Sequence, residues 1–275
     1  MTVVLGIDVG GTKIAAGLVD VETATLVHHE VIATRPERGA DAVLADVIEL
    51  VGRLDDGVAA VGLGICELVD RHGHTTSAHT IDWTGIDLTT ALGTFVGVHV
   101  ESDVRAAALA EAVAGAGVGM ESFVYLQIGT GVAYSLVDSG VVRTGHRGNA
   151  IIVGAPPVEQ VASGLVLERA VRPSSVPDAI ADARFDVIFA TAARELGAVV
   201  AVLVNALDPQ ALVIGGGLGT NSTMFVRLAD VIRPLLVPGP LRDLPISSAA
   251  LGTDSGVVGA ALAAARALLD RGVTV

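Results

Sequence analysis

Apolar residues in this chain form two kinds of run, and the two kinds alternate along it. Short continuous runs such as 3–7 and 58–65 predict buried strands, because a strand covered on both faces has few polar positions. Longer stretches such as 40–54 carry apolar residues at helical spacing. Strands that alternate with helices in this way predict an α/β protein.

The first half of the chain opens with strands, and the second half repeats that opening. In the first half the pattern predicts strands at 3–7, 14–20, 27–33, 58–65 and 98–100, and helices at 40–54, 88–95 and 104–114. In the second half it predicts strands at 123–128, 132–137 and 211–214, and helices near 158–170, 186–206, 222–236 and 255–269. The glycine-rich segment 115–119 is the best candidate for a hinge, and 70–83 reads as a polar loop.

A glycine turn closes the first predicted strand. The strand ends at Asp8, and the chain continues Val9-Gly10-Gly11-Thr12-Lys13. Glycines let backbone N–H groups approach an anion that a Cβ atom would hold off, and Thr12 and Lys13 add side-chain donors. The turn therefore predicts phosphate binding. An ordinary hairpin turn is the alternative, because Gly-Gly between apolar runs is common in hairpins.

The same turn occurs a second time. Residues 11–20 align without gaps onto residues 129–138, with six of ten positions identical and with Gly129-Thr130-Gly131 in place of Gly11-Thr12-Lys13. Two such strand–turn–strand units predict two similar lobes that face each other across a cleft, although two apolar hairpins can also resemble each other by chance. A third glycine turn, Gly215-Gly216-Gly217, suits a further part of a nucleotide.

Composition limits the partners. The chain has 275 residues and a formal charge of −13, which argues against nucleic acid and anionic membranes because both need clustered basic residues. The stretch 196–204 is too short to span a bilayer, and we expect no secretory signal. A single cysteine, Cys66, excludes an internal disulfide and a multi-cysteine zinc site. These features predict a cytoplasmic protein.

Further motifs accompany the glycine turns in a specific order and spacing. They are Glu101-Ser102-Asp103 followed by 106–111, and the segments 162–164, 205–218 and 256–261. Together with 6–13 and 128–131 they resemble the ROK family (repressors, uncharacterised open reading frames and sugar kinases), within the actin-like, hexokinase-like ATPases. The resemblance covers nearly the whole chain.

The resemblance implies two actin-like, ribonuclease H-like lobes with an ATP cleft between them. The lobes would be residues 1–116 and 117–275, with the last helix packing back on the first lobe. Mg²⁺ would be held through water by Asp8, since this ion needs a nearby carboxylate but keeps much of its water. The implied nucleotide-binding residues are Asp8, Gly10, Gly11, Thr12, Lys13, Gly129, Thr130, Gly131, Gly215, Gly216 and Gly217.

Asp103 stands where the family keeps its catalytic base. Such a base accepts the proton of the attacking hydroxyl group during phosphoryl transfer. Asp103 also follows a predicted strand and begins a predicted helix. The alternative role is therefore a helix N-cap, for which Ser102 and Asp103 are both favoured residue types.

The sugar half of the pocket departs from the family pattern. The family's Gly-Glu-Ile-Gly-His segment falls on 151–155, so Ile152 replaces a sugar-binding glutamate and Ala155 replaces a histidine that binds sugar and zinc. The cysteine-rich zinc loop is missing, and we expect no zinc site. Glu159 matches the next sugar-contacting glutamate. The predicted substrate-binding residues are thus Ser102, Asp103 and Glu159.

Upstream departures affect the same pocket. Ser102 and Thr80 each replace an asparagine, and Cys66-Glu67 replaces a Pro-Gly pair. Recognition of hydroxyl groups depends on buried polar groups, so these losses argue against tight glucose binding. They indicate either a less polar acceptor or a pocket that has lost activity while the fold survived.

The resemblance implies an ATP- and Mg²⁺-dependent kinase that phosphorylates a hydroxyl group of a hexose or hexose derivative. Asp103 would be its general base, its partner would be a small-molecule sugar, and the protein would be a homodimer. One alternative is a catalytically impaired member that binds nucleotide or sugar in a regulatory role. Another is an ATPase with water as the acceptor.

Overall fold

The computed structural model describes residues 2–54, 57–93, 97–151, 158–237 and 239–272. The strands in chain order are β1 (Val3–Val9), β2 (Lys13–Asp20), β3 (Thr25–Ala33), β4 (Val61–Ile65), β5 (Val98–Ser102), β6 (Ser122–Ile128), β7 (Val132–Asp138), β8 (Val141–Val142), β9 (Ala211–Gly215) and β10 (Ile246–Ser248). The α-helices are α1 (Ala40–Leu54), α2 (Leu88–Ala91), α3 (Asp103–Ala114), α4 (Glu159–Ala162), α5 (Gly164–Val171), α6 (Val176–Ala179), α7 (Asp186–Leu207), α8 (Ser222–Ile232) and α9 (Ser255–Asp270).

The chain divides into two compact units. The first contains Met1–Gly115, Val142–Ala150 and Asp254–Val275, and the second contains Ala116–Val141 and Ile151–Thr253. The segment 142–150 therefore belongs with the first unit although it lies between strands and helices of the second. The domain boundary expected at 116/117 stays a prediction about domain organisation.

The sheet of the first unit has the strand order β3-β2-β1-β4-β5. β1, β2 and β3 are antiparallel neighbours, whereas β1, β4 and β5 run parallel. The central strand β1 is buried along most of its length, which explains its continuous apolar sequence. In α1 the buried residues recur at helical spacing, so one face of this helix covers the sheet (Val43, Val47, Leu50, Val51 and Leu54).

The last helix, α9, packs against α3 and the first sheet. Its backbone comes so close that a Cβ atom on Gly6 would lie 2.0 Å from the carbonyl oxygen of Val257, and one on Gly62 would lie 1.9 Å from that of Ala260. Glycine at these sheet positions is therefore required by the helix that covers them.

The sheet of the second unit has the order β10-β9-β6-β7-β8. β6 pairs antiparallel with β7, and β6, β9 and β10 run parallel. Read from the other end, this is the topology of the first sheet. The predicted repeat is thus a repeat of fold as well as of sequence, and the α/β, two-lobe actin-like prediction is confirmed.

One helical stretch, Ala183–Leu207, is long and apolar enough by composition to cross a membrane. It extends well beyond the 196–204 stretch expected from the sequence. Residues along one face of α7, among them Phe189, Leu196, Val200 and Val204, are buried in the core of the second unit. Because core helices of soluble proteins pass the same test, this helix is weak evidence for a membrane span.

Two predicted helices differ from the structure, and some short elements were not predicted. The helix expected near 158–170 is interrupted at Ser163, whose hydroxyl accepts a hydrogen bond from the N–H of Val166 and caps α5. The helix expected at 88–95 is a single turn, α2, and residues 94–96 lie outside the described part. The short elements β8, β10 and α6 have too few residues to show a period in sequence.

Candidate active site

Three residues with acidic or thiol side chains lie at one edge of the first sheet. β1, β4 and β5 are parallel, and their register places Asp8 beside Gly64 and Gly64 beside Glu101. The carboxyl ends of the three strands therefore meet, as they do at ligand sites of other α/β sheets. Asp8, Cys66 and Asp103 stand at these ends.

The charges around Cys66 show that these groups are close. Burial raises the pKa of the Cys66 thiol, and the negative charges of Asp103, Glu67 and Asp8 raise it further. A thiol in such surroundings stays protonated and is a poor nucleophile. Cys66 is therefore a neutral neighbour of these three carboxylates.

Asp8 is the carboxylate with the strongest perturbation. Burial raises its pKa to about 6, and the Lys13 ammonium opposes part of that rise. The carboxylate lies against the first turn of α9, since a Cβ atom on Gly256 would be 2.4 Å from Oδ2 of Asp8. A buried carboxylate with a raised pKa is stabilised in its charged form by a cation. This donor fits a hydrated Mg²⁺ ion, which prefers oxygen ligands.

The first glycine turn is tied to the end of β3. The N–H of Gly10 donates to the carbonyl of Lys13 at 3.0 Å, and the hydroxyl of buried Thr34 donates to the carbonyl of Gly10 at 2.7 Å. The N–H of Thr34 donates to the carbonyl of Thr12 at 3.1 Å. These hydrogen bonds hold the backbone of the turn. Thr12 is exposed and Lys13 is half-buried.

Asp103 is the first residue of α3 and is half-buried. Its Oδ1 accepts a hydrogen bond from the N–H of Val104 at 2.6 Å. Ser102 occupies the N-cap position, but its side chain makes no capping bond, and its fully buried hydroxyl has no hydrogen-bond partner among the described residues. The helix start therefore orients the carboxylate of Asp103 through one backbone amide.

Glu67 organises the loop that faces these groups. Its buried carboxylate accepts hydrogen bonds from the N–H groups of His79 (2.9 Å), Thr80 (2.5 Å) and Ile81 (2.9 Å), and from the hydroxyl of Ser77. Carboxylates that accept several backbone N–H bonds are strongly held. The loop in turn places the side chain of Thr80 within hydrogen-bonding distance of Cys66.

In the second unit, the glycine turn 129–131 packs against α5. The N–H of Gly164 donates to the carbonyl of Gly129 at 2.8 Å, and the N–H of Leu165 donates to that of Thr130 at 3.2 Å. Glu159 lies at the same turn, because its Oε1 accepts the N–H of Val132 at 3.3 Å. The glutamate predicted to contact sugar thus contacts a glycine turn of its own unit.

The third glycine turn closes on the end of β6. The N–H of Leu218 donates to the carbonyl of Ile128 at 3.0 Å, and Gly216 has a φ of 80°. Turns 129–131 and 215–217 are therefore neighbours. A Cβ atom on Gly129 or on Gly217 would meet no atom within 4 Å, so these two positions leave space for an anion or a nucleotide.

Some predicted features are not brought together. Ile152 and Ala155, the substituted sugar and zinc positions, lie outside the described residues. Over the described ranges, no three histidine, cysteine, aspartate or glutamate side chains form a group that could hold a metal ion.

Comparison with known proteins identifies the family. The model of the ROK family matches residues 4–163 and 157–267. The chain belongs to the ROK family. It is 31% identical to a glucokinase of Streptomyces coelicolor over 312 aligned residues, which cover 95% of this chain and 97% of that protein. It is 28% identical to a polyphosphate glucokinase of Mycobacterium tuberculosis, with 94% and 89% covered.

A solved ROK structure shares the fold over nearly the whole chain. It is a ROK family glucokinase from Streptomyces griseus in complex with glucose and AMPPNP, with a TM-score of 0.82 and 28% identity. The match covers 96% of this chain and 99% of that one. The fold and family expected from the motifs are therefore confirmed.

Two buried charged residues near the candidate site were not found from the sequence. Glu67 was noted only as a departure from the family pattern, and Arg105 was not singled out. Arg105 is 1% exposed and forms an ion pair with Glu101. A charged residue in the otherwise small and apolar segment 104–110 was the available signal, because buried charges need partners.

Proposed function

We propose that this ROK protein is an ATP-dependent sugar kinase that transfers a phosphoryl group to a hydroxyl group of a hexose or hexose derivative. The observation that carries the proposal is the meeting of Asp8 and Asp103 at one edge of the first sheet, beside the glycine turn with Lys13. The named relatives that are glucokinases support this class of acceptor.

In this mechanism Asp103 accepts the proton of the attacking sugar hydroxyl. The hydroxyl oxygen forms a bond to the γ-phosphorus as the bond from that phosphorus to the bridging oxygen breaks, which leaves ADP. The hydrogen bond from Val104 holds the carboxylate in place before the reaction. A positioned general base contributes about 10²–10⁴-fold to the rate.

The remaining residues bind and neutralise the phosphates. Lys13 and Thr12 donate from the first turn, and backbone N–H groups donate around 129–131. Gly215–Gly217 provides room beside the nucleotide. Asp8 would hold a hydrated Mg²⁺ ion, which would neutralise charge on the phosphate oxygens. Ser102 and Glu159 stay predictions as sugar contacts, as do the homodimer and the absence of zinc.

A catalytically impaired, nucleotide- or sugar-binding protein is the second candidate function. The substitutions at Ser102 and Thr80 favour it, because both replace amide side chains beside the proposed base. Because one relative is a polyphosphate glucokinase, polyphosphate is a second phosphoryl donor to test.

A coupled ADP-release assay tests the proposal across hexoses, N-acetylhexosamines and polyols. A parallel assay of sugar phosphate formation uses polyphosphate as donor, and isothermal titration measures MgATP binding. We expect MgATP binding and sugar-dependent ADP release. MgATP binding without any acceptor would favour the impaired protein, whereas hydrolysis that no sugar alters would indicate an ATPase. Sugar phosphate formation from polyphosphate alone would overturn the ATP assignment. No ATP or ADP binding at millimolar concentration would exclude both the ATP-dependent kinase and the nucleotide-binding alternative.

A further inference from the structure

Arg105 is a charged side chain buried in the first unit, two residues after Asp103. It is 1% exposed and makes short contacts in several directions. Its Nε donates to Oε1 of Glu101 at 2.6 Å, and its Nη2 lies 2.5 Å from the same oxygen. Its Nη1 donates to the carbonyl of Gly148 at 2.6 Å, and its Nη2 donates to that of Val69 at 2.6 Å.

These contacts join three separate segments of the chain. Glu101 lies at the end of β5, Val69 follows Glu67 in the loop after β4, and Gly148 belongs to segment 142–150. A guanidinium group presents its donors in a fixed planar fork, so it sets the directions of the groups it binds. Arg105 therefore fixes these segments relative to the start of α3.

Two of these segments carry residues of the proposed acceptor site. α3 begins with Asp103. The loop that contains Val69 carries Glu67, which positions Thr80 beside Cys66. Segment 142–150 is held against that loop at Gly148. A displacement of Arg105 would therefore reach Asp103 and the Thr80 loop together.

A second set of contacts joins the Val69 loop to segment 142–150. Arg71 donates from Nη2 to the carbonyl of His146 at 2.6 Å. Gly148 has a φ of 78°, and a Cβ atom on it would lie 2.2 Å from the carbonyl oxygen of Val69. The backbones at Val69 and Gly148 thus approach so closely that only glycine fits at 148.

We infer that Arg105 is a positioning residue for acceptor binding, which acts by holding the Val69 loop and segment 142–150 against the helix that carries Asp103. This inference rests on the proposed function. It predicts different effects on acceptor binding and on nucleotide binding. The contacts of Arg105 are with the Val69 loop and segment 142–150, whereas the glycine turn at 10–13 is held by Thr34. Loss of Arg105 should therefore affect acceptor binding and leave nucleotide binding nearly unchanged.

The test compares Arg105→Met, Arg105→Lys and Gly148→Ala with the wild type. Gly148→Ala should push the backbones at Val69 and residue 148 apart without changing the arginine. Arg53→Met is the control, because Arg53 is an exposed arginine of the same unit that pairs with Glu30 and Glu49. The measurements are kcat and KM for the acceptor, KM for ATP, and acrylamide quenching of Trp83. Trp83 is the only tryptophan and is buried beside the loop that Glu67 holds.

We expect Arg105→Met and Gly148→Ala to raise the acceptor KM at least about tenfold, with the ATP KM changed less than about twofold, because small misplacements of positioned groups cost large factors. Arg105→Lys should recover part of the loss, and Trp83 should become more accessible to acrylamide in Arg105→Met and Gly148→Ala. Arg53→Met should match the wild type in every measurement.

A purely structural role would give the opposite result. The variants would melt at lower temperature but keep both KM values, kcat per folded molecule and the Trp83 quenching of the wild type, and this would overturn the inference. If Arg105→Met does not fold, Gly148→Ala and Arg105→Lys decide the question. If the wild type phosphorylates no acceptor, the proposed function fails, and Trp83 quenching still decides whether Arg105 holds the loop.

Discussion

The central hairpins of the two units share a register but differ in their chemistry. In the first, β1 and β2 pair from Val3 with Asp20 to Val9 with Ile14. In the second, β6 and β7 pair from Ser122 with Asp138 to Ile128 with Val132. The residues between the last strand pair are 10–13 in the first hairpin and 129–131 in the second, so the first turn has one more residue.

This register places Asp8 and Gln127 at equivalent positions. Asp8 pairs with Ala15, and Gln127 pairs with Ala133. The first hairpin therefore has a carboxylate and a lysine where the second has an amide and a glycine. Both hairpins present a glycine turn, but only the first has the charges that a metal ion and a phosphoryl group need. The repeated backbone is thus a shared scaffold, and the proposed function places catalysis on the first unit.

The largest effect should come from Asp103→Asn, which tests whether the first unit holds the base. Asparagine begins helices about as well as aspartate, so the free energy of unfolding should change by less than about 1 kcal/mol. An amide cannot accept the proton, so turnover should fall at least about a hundredfold. Urea unfolding and steady-state kinetics measure the two effects. Near-native turnover in this variant would remove Asp103 from the base role.

Asp8→Asn should separate activity from stability. We expect turnover to fall at least about tenfold, because the oxygen ligand near the metal loses its charge. The folded pKa of Asp8, about 6, lies above its ordinary value of 3.8, so folding takes up a proton at pH values between the two. Wild-type stability therefore falls as the pH rises from about 4 to 6, and the penalty is complete above that range.

The asparagine variant avoids this penalty. Without added Mg²⁺ at pH 8, it should be more stable than the wild type by on the order of 3 kcal/mol, and the difference should disappear near pH 4. Urea unfolding at both pH values measures this, and Asp20→Asn, at the far end of the β1–β2 hairpin, is the control. An Asp8→Asn protein that is less stable than the wild type at pH 8 would contradict the buried, raised-pKa carboxylate.

Lys13→Met makes the charge of the first turn resemble that of the second. The lost ammonium should raise the KM for ATP by roughly tenfold, which corresponds to about 1.4 kcal/mol of binding free energy. The matched change in the second turn, Gly131→Ala, alters no charge, and we expect a smaller effect there. Initial rates at several ATP concentrations compare the two. Equal effects would mean that the two turns contribute alike, against the comparison made above.

Sequence alone predicted most of the fold, because its elements have strong patterns. The periodic stretch 40–54 coincides with α1, and the continuous apolar runs became the central strands β1 and β6. It did not predict the interruption at Ser163, because that depends on Gly164 approaching the carbonyl of Gly129. The gapless alignment of 11–20 with 129–138 matched β2 and β7 but could not show that one turn is longer.

Candidate site residues were proposed from the sequence only where a short motif carries them. Asp8, Asp103 and the three glycine turns lie within contiguous segments. Glu67 and Arg105 act on chain that is distant in sequence: Glu67 binds the N–H of Ile81, 14 residues away, and Arg105 binds Gly148, 43 residues away. Such contacts depend on how the loops return to the sheet, and no local sequence pattern predicts them.

The smallest effects should come from the third glycine turn, where two neighbouring glycines serve different purposes. Gly216 has a φ of 80°, and its Cβ would lie 2.5 Å from the carbonyl oxygen of Ile128. Gly216→Ala should therefore lower the free energy of unfolding by about 1–3 kcal/mol. A Cβ on Gly217 would meet nothing within 4 Å, so Gly217→Ala should change stability by less than about 0.5 kcal/mol.

Nucleotide binding then distinguishes the two glycines. If the space beside Gly217 receives the adenosine, the added methyl group of Gly217→Ala should weaken ATP and ADP binding by about threefold to tenfold while the protein stays as stable as the wild type. Isothermal titration at matched folded concentrations measures this. Unchanged nucleotide affinity in Gly217→Ala would place the adenosine away from this turn. The third turn would then be a structural closure of β6 and β9, and the nucleotide contacts of the second unit would be limited to 129–131.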